Sequence, residues 1–451
     1  MTYFFIVSFC VWYSVTCIYR SVTIVVPVSA DAMKAALEHS QRFSRKDIFM
    51  CGREPGLLIK LPGQSQKAMA RRENTNTIII GAGAAGLSCA VCLQRRGISC
   101  TVLEESAAIG ATWEKRYDRL HLHTTRKHSQ LPYFKMPESY PRYVPKDAYA
   151  DYLRGYALEF NVNPLFNRRV TSIKREDEQW ITKTSLETYL SENIIIATGC
   201  AGKPVYDVGK GIGLFTGEVT HSCEYRSGHR YADKRVLVIG FGNSACEIAL
   251  CLHEHGAFPS LSVRGCVNVL PREIAGISVV DIALMQKWLI EISPILADAA
   301  NTPVLAMVNG DIGKYGLEKC AYGPLTQITK QRKIPLIDIG TMDLIRSGKI
   351  TVFPGVQEFG ADSVTFTDGR AEHFDAIILA TGYVPAMDFL SDYDNVCDAE
   401  GVPLVSGEES ALPGLYFCGF RVSPTGMLRE IGIEAKRITQ SISIATKALR
   451  H

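Results

Sequence analysis

The chain has 451 residues, 47% hydrophobic and 21% charged, an ordinary globular balance. A formal net charge of +3, from 49 basic and 46 acidic residues, is too small to imply a nucleic-acid partner, and no basic run carries interleaved aromatics. The length predicts two or three domains with substantial cores.

Residues 3–19, YFFIVSFCVWYSVTCIY, form an apolar run closed by Arg20. That run sits at the lower length limit of a membrane span, about 17 residues. Three readings stay open: a signal anchor, a signal cleaved after Ala30, and an upstream extension outside the fold. Residues 31–74 show little periodicity, so residues 1–74 read as a loose leader.

From Thr77 the sequence reads TIII-GAGAAG-LSCAVCLQRR-G-ISCTVLE. A β-branched run meets Gly81-x-Gly83-x-x-Gly86. A helix-compatible stretch then ends at Gly97, and a second short strand ends at Glu104. This is the strand–turn–helix–strand unit that binds dinucleotides. Gly81 permits a tight turn, Gly83 lets the backbone approach a pyrophosphate, and Gly86 lets helix and strand pack closely. The loop Gly81, Ala82, Gly83, Ala84, Ala85, Gly86 leads into a helix whose free N–H groups face the phosphate charge. Glu104, 23 residues after Gly81, is spaced to accept ribose hydroxyls, with Glu105 as the register alternative. Cys89 and Cys92 are the one close pair among 14 cysteines. Their place inside the helix marks them as small core residues, not a redox pair. No spacing suggests zinc, and the scattered cysteines fit a reducing compartment.

From Arg235 the pattern repeats as RVLVIG-FGNSA-CEIALCLHEH-G-AFPSLSVR. Gly240, Phe241, Gly242, Asn243, Ser244 and Ala245 form the second loop, with alanine as the third small residue. Gly256 follows Gly240 by 16 residues, as Gly97 follows Gly81. This unit ends at Arg264. A guanidinium binds a 2′-phosphate that a carboxylate would repel. The first unit therefore suits FAD, and the second suits NADPH over NADH. Asn243 and Ser244 bind phosphate or cap the helix. Arg272 is a second candidate for the task of Arg264. NIIIATGC and DAIILATGY each end a strand at a small-residue turn, where the chain passes between nucleotide domains. The expected fold class is α/β, with two Rossmann-like dinucleotide-binding domains, the second inserted in the first. The boundaries are a leader at 1–74, an FAD-binding domain at 75–202 and 346–451, and an NADPH-binding domain at 203–345.

Between the loops lies FTGEVTHSCEY, residues 215–225. With Gly81–Gly86 and Gly240–Ala245 it resembles the class B flavin-dependent monooxygenases, whose identifying motif is matched by Phe215, Gly217, His221 and Tyr225. Tyr225 stands where the Baeyer–Villiger branch has Trp, so the chain resembles the flavin-containing monooxygenase branch. YDRLHLHT, LPYFKMPESYPRYVPKDAYADYL, SVRGCVNVLPREI, YGPLTQITKQRKIPLID and ILATGYVP are similar to segments of the plant YUCCA enzymes. The resemblance spans about residues 75–445. It implies FAD and NADPH as cofactors, O2 as co-substrate, and conversion of indole-3-pyruvate to indole-3-acetate in auxin biosynthesis. The implied route is oxidative decarboxylation through a C4a-(hydro)peroxyflavin. The implied location is the cytoplasm, or the endoplasmic reticulum membrane with the catalytic part facing the cytosol.

The chain departs from the family picture at Ala85 and Ala245, both small. TTRKH, residues 124–128, stands where the drug-metabolising relatives carry an active-site Asn. Flavin chemistry needs no side-chain nucleophile, and no Ser-His-Asp or Cys-His set stands out. In this scheme Gly217 bends the chain and Phe215 and Tyr225 pack. His221 holds NADP+ at the domain junction or is a bonded structural histidine. Trp113 packs beside the flavin or in a plain core. The alternatives are an N- or S-monooxygenase of small amines or thioethers, a pyridine nucleotide–disulfide reductase, and an inactive nucleotide-binding scaffold.

Overall fold

The computed structural model describes residues 13–19, 22–27, 48–52 and 72–448. Met1–Met69 and Ala70–His451 form separate units. In the first unit, Tyr13–Tyr19 pairs antiparallel with Val22–Pro27 on one edge and Ile48–Gly52 on the other. Three strands therefore stand where a loose leader is expected. The cleavage site at Ala30 and the start of the apolar run lie outside the described residues. Among the described residues, no helix is long and apolar enough to cross a membrane.

The second unit is built on two sheets. In the first, Arg72–Ile80 lies between Cys100–Leu103 and Thr188–Ile196, all parallel. Successive strand residues face opposite sides. Ile79 and Ile195 point into a core with helices Ala84–Gln94, Lys146–Glu159 and Met427–Ala448. Ile78, Ile80, Ile194 and Ile196 point into another core with Trp180 and Leu390. Burial on both faces explains why these strands are unbroken runs of isoleucine. Leu415–Phe417 adds in parallel to the end of Thr188–Ile196, so the last part of the chain belongs to this sheet.

The second sheet is all parallel, in the order Glu218–His221, Ala376–Leu379, Arg235–Ile239, Phe258–Ser262, Thr351–Phe353. This corrects the boundary expected at residue 345. Thr351–Phe353 and Ala376–Leu379 both belong to the second sheet, so the chain returns to the first sheet only after residue 380. The cause is burial: Ala376–Leu379 has no exposed residue and fills the slot between two strands from the middle of the chain. Both crossings meet at one place. Lys203–Pro204 and Tyr383–Val384 pair antiparallel just after the turns that follow Ile196 and Leu379. Helices Val279–Met285, Lys287–Ile292, Pro294–Asn309 and Pro324–Gln331 form an insert on the second sheet's side of the molecule. A disulfide joins Cys266 to Cys320, 54 residues apart. Scattered cysteines alone did not predict it.

Candidate active site

The first loop turns at Gly81, where φ is +103° and a Cβ would meet the Ala197 carbonyl at 2.6 Å. A Cβ on Gly86 would lie 1.8 Å from the Gly81 oxygen, so helix and strand leave no room for a methyl. A Cβ on Gly83 would meet nothing within 4 Å. Helix Ala84–Gln94 follows with no side-chain cap, so its first N–H groups are free for an anion. Ala82 N–H donates to Glu104 Oε2 at 2.6 Å, and Ser106 donates to Glu104 Oε1 from N at 2.9 Å and from Oγ at 2.7 Å. Glu104 thus stands beside the loop. Glu105 turns away to Arg169, 3.0 Å distant. Trp113 packs edge-on against Tyr149 at 4.7 Å, on the core that contains Ala82, Ala84 and Ala85.

Sequence reading missed Gly419 and Glu434. A Cβ on Gly419 would lie 3.1 Å from the Ala85 Cβ, so the end of the late strand touches the first loop. Gly419 N–H donates to Glu434 Oε2 at 2.7 Å. Glu434 is buried, which raises its carboxyl above the usual range, and its Oε1 has no partner. The second glycine of GLYFCGF, just past the strand, was a signal. Nothing local marks an acid 15 residues later. An open loop, an uncapped helix start and two facing turns fit the pyrophosphate and ribose of FAD.

The second loop repeats this frame. Gly240 has φ +129°, and a Cβ there would lie 2.5 Å from the Ala380 carbonyl. Gly242 faces open space ahead of helix Asn243–Glu254, which again has no side-chain cap. Ala245 is fully buried and Phe241 packs against the same core. Asn243 corrects an expectation. Its Oδ1 accepts from Ile337 N–H at 2.8 Å, so the side chain holds strand Leu336–Asp338 and does not cap its own helix. Ser244 faces the buried Tyr117 hydroxyl, whose pKa burial raises well above the usual value. The strand ends at Ser262, and Arg264 follows, exposed and without an ion-pair partner among the described residues. Arg272 is engaged elsewhere, with its guanidinium 3.9 Å from the Tyr143 ring centre.

FTGEVTHSCEY lies at the crossing between the sheets. A Cβ on Gly217 would meet the Asp375 carbonyl at 2.6 Å, so close approach, not a positive φ, demands glycine. Phe215 and Tyr225 are buried in different cores, and Tyr225 stacks on Tyr231 at 6.0 Å. His221 is 1% exposed. Its Nδ1 accepts from Cys223 N–H at 3.2 Å, which assigns the proton of the neutral ring to Nε2. That Nε2 is buried and, among the described residues, has no partner of good hydrogen-bond geometry. The rings of Tyr206 and Tyr383 flank the imidazole, each at 5.2 Å. Arg116 donates to the Tyr383 hydroxyl at 2.8 Å. Burial holds His221 below the ordinary histidine pKa, against the opposing pull of Glu224 and the Gly382 carbonyl.

Cys89 and Cys92 are fully buried behind the first loop, and burial pushes the Cys92 thiol up to about 11. Within TTRKH, His128 Nε2 bonds Asp281 at 2.6 Å. The helical insert holds an apolar cavity of about 270 Å³, lined by Leu270, Ile282, Val304 and Leu325, and none of its lining residues belongs to either loop. Its only polar side chains, Gln286 and Asn301, bond each other.

A family model described as pyridine nucleotide-disulphide oxidoreductase matches residues 78–267. The probable indole-3-pyruvate monooxygenase YUCCA3 of Arabidopsis thaliana is 39% identical over 363 residues, which cover 76% of this chain and 81% of that relative. The chain belongs to the YUCCA family of flavin monooxygenases. The indole-3-pyruvate monooxygenase YUCCA1 of Oryza sativa subsp. japonica is 38% identical, over 79% of this YUCCA chain and 89% of its own. Among solved structures, the flavin-containing monooxygenase from Stenotrophomonas maltophilia matches with a TM-score of 0.63 at 21% identity, covering 83% of this chain and 99% of that one. The bacillithiol disulfide reductase from Bacillus cereus reaches 0.60 at 20% identity, covering 83% and 100%. The two-module fold therefore serves both chemistries, and the sequence relatives decide between them. This YUCCA-family chain is therefore a flavin monooxygenase, and its two modules have the fold of the flavin-containing monooxygenases.

Proposed function

We propose that the enzyme converts indole-3-pyruvate to indole-3-acetate, consuming NADPH and O2 and releasing CO2, water and NADP+. The observation that carries this is the identity, 39% and 38%, with chains named for that activity across most of their length. When bound, FAD activates oxygen at the expense of NADPH.

The chain's own residues bind and orient. In this reading Gly81–Gly86 hold the FAD pyrophosphate, Glu104 accepts its ribose hydroxyls and Trp113 packs nearby. Gly240, Phe241, Gly242, Ser244, Ala245 and the backbone of Asn243 hold the NADPH pyrophosphate. Arg264 takes the 2′-phosphate; its guanidinium, exposed and unpaired among the described residues, supports that role. His221, packed between the rings of Tyr206 and Tyr383 at the junction, helps to position NADP+ there. A disulfide reductase would need an accessible thiol pair, whereas Cys89 and Cys92 are enclosed.

The test supplies the FAD-loaded enzyme with NADPH, indole-3-pyruvate and isotopically heavy O2. The expected result is a single heavy oxygen in the product carboxylate, with NADPH consumed in step. NADPH oxidation that yields only H2O2 would remove this substrate and turn the search to amines and thioethers. We place the catalytic unit on the cytosolic side, where NADPH is available, with the endoplasmic reticulum membrane as the alternative attachment. A reporter fused to residues 1–30 that spreads diffusely through the cell ends the anchor reading.

A further inference from the structure

Residues 116–123 run between the two modules. Leu122 is buried in the first module's core, and its N–H donates to the Val144 carbonyl at 2.8 Å. Tyr117 is buried in the second module's core, and Leu120 packs on it. Asp118 N–H donates to the Arg226 carbonyl at 2.9 Å. The same segment grips helix Asn243–Glu254 at two points. His123 Nε2 bonds Glu247 Oε1 at 2.5 Å. Arg119 donates from Nε and Nη2 to the two carboxylate oxygens of Glu254, at 2.9 and 2.7 Å.

The spacing makes this one device. Glu247 and Glu254 are seven residues apart, so they share a helix face about 10.5 Å apart. Arg119 and His123 are four residues apart, and that length of chain reaches at most about 14 Å. The segment therefore lies antiparallel along the helix, Arg119 at its end and His123 near its start. The inner contact is the demanding one. Glu247 is 2% exposed, and its Oε2 and the His123 Nδ1 are buried with no partner of hydrogen-bond geometry among the described residues. Tyr117 also faces Glu247 and Ser244. The outer contact, Arg119 with Glu254, is partly exposed.

We propose that residues 116–123 are a strap that sets where the second phosphate helix stands relative to the first module, and that His123 and Glu247 are its positioning pair. The strap fixes the alignment of NADPH with the flavin, not the affinity for NADPH. This rests on the assignment of helix Asn243–Glu254 to NADPH. A buried pair that loses one partner leaves the other polar group without its hydrogen bond, so the helix shifts to satisfy it.

The experiment makes His123→Ala, Glu247→Ala, the double variant, Glu247→Gln and Arg119→Ala in the full FAD-loaded chain. It measures NADP+ affinity by calorimetry, anaerobic flavin reduction at saturating NADPH, and the H2O2 share of turnover. The inner single variants should slow flavin reduction about tenfold, about 1.4 kcal/mol, and raise the H2O2 share. NADP+ affinity should stay within about threefold. The double variant should be no slower than the worse single, since residues in contact are coupled. Glu247→Gln keeps an acceptor and should recover most of the rate. Arg119→Ala should fold normally and cost about two- to threefold. Reduction rates within twofold of wild type, or losses that simply add, overturn the strap. If Arg264→Ala leaves the preference for NADPH over NADH untouched, the helix assignment fails instead, whatever the strap variants do.

Discussion

At the third small residue the two phosphate loops differ. Gly86 has the Gly81 oxygen 1.8 Å from where its Cβ would be, while Ala245 carries that methyl fully buried. The loops also differ in what they do with charge. Glu104 is already bonded to Ala82 and Ser106, and Glu434 to Gly419. Arg264 is exposed and unpaired among the described residues. The first module holds both acids in hydrogen bonds to its own turns and fits a cofactor that stays. The second leaves a cation open to solvent and fits one that exchanges each turnover.

The largest expected effect is at Gly86. Gly86→Ala forces the helix off the strand, and overpacking of this kind costs about 1–3 kcal/mol or more. The purified variant should lack bound flavin, seen as lost visible absorbance per protein. Retained FAD would mean that the first loop is as roomy as the second. Next comes Arg264→Ala. A hydrogen bond to a charged group is worth about 1.5–3 kcal/mol, so the KM for NADPH should rise about ten- to a hundredfold, with that for NADH nearly unchanged. Ala245→Gly should keep its flavin and lose about 1 kcal/mol in thermal unfolding, the helix penalty of glycine.

The smallest effect concerns pH. Burial lowers His221 from the ordinary value of 6.5, so between its folded value and 6.5 the unfolded chain binds more protons at this site than the folded one. Stability therefore rises with pH through that window and is lost as pH falls. His221→Gln should flatten this part of the melting profile and leave the region above it unchanged. An unaltered slope below 6.5 would assign the acid sensitivity to other groups.

Much of the cofactor frame was readable before any fold was known. Glycine spacing, the end of each unit in Glu104 or Arg264, and the motif around His221 are local patterns. A turn, a close approach or a helix start is decided by a few neighbouring backbone angles, and those belong to the sequence. The roles expected of particular side chains were less secure. Asn243 read as a cap or phosphate ligand, and its Oδ1 accepts from Ile337 N–H in place of capping its own helix. Arg272 read as a second phosphate ligand, and it lies over Tyr143.

By itself the sequence determined two dinucleotide modules, their order and their cofactor types. Only the tertiary structure decided that Ala376–Leu379 lies between Glu218–His221 and Arg235–Ile239, that Cys266 meets Cys320, and that His123 reaches Glu247 across 124 residues of chain. Hydrophobic runs state that a strand is buried, but not beside which neighbour. Partners this far apart share no period or spacing, so only packing, which satisfies buried groups wherever they come from, brings them together.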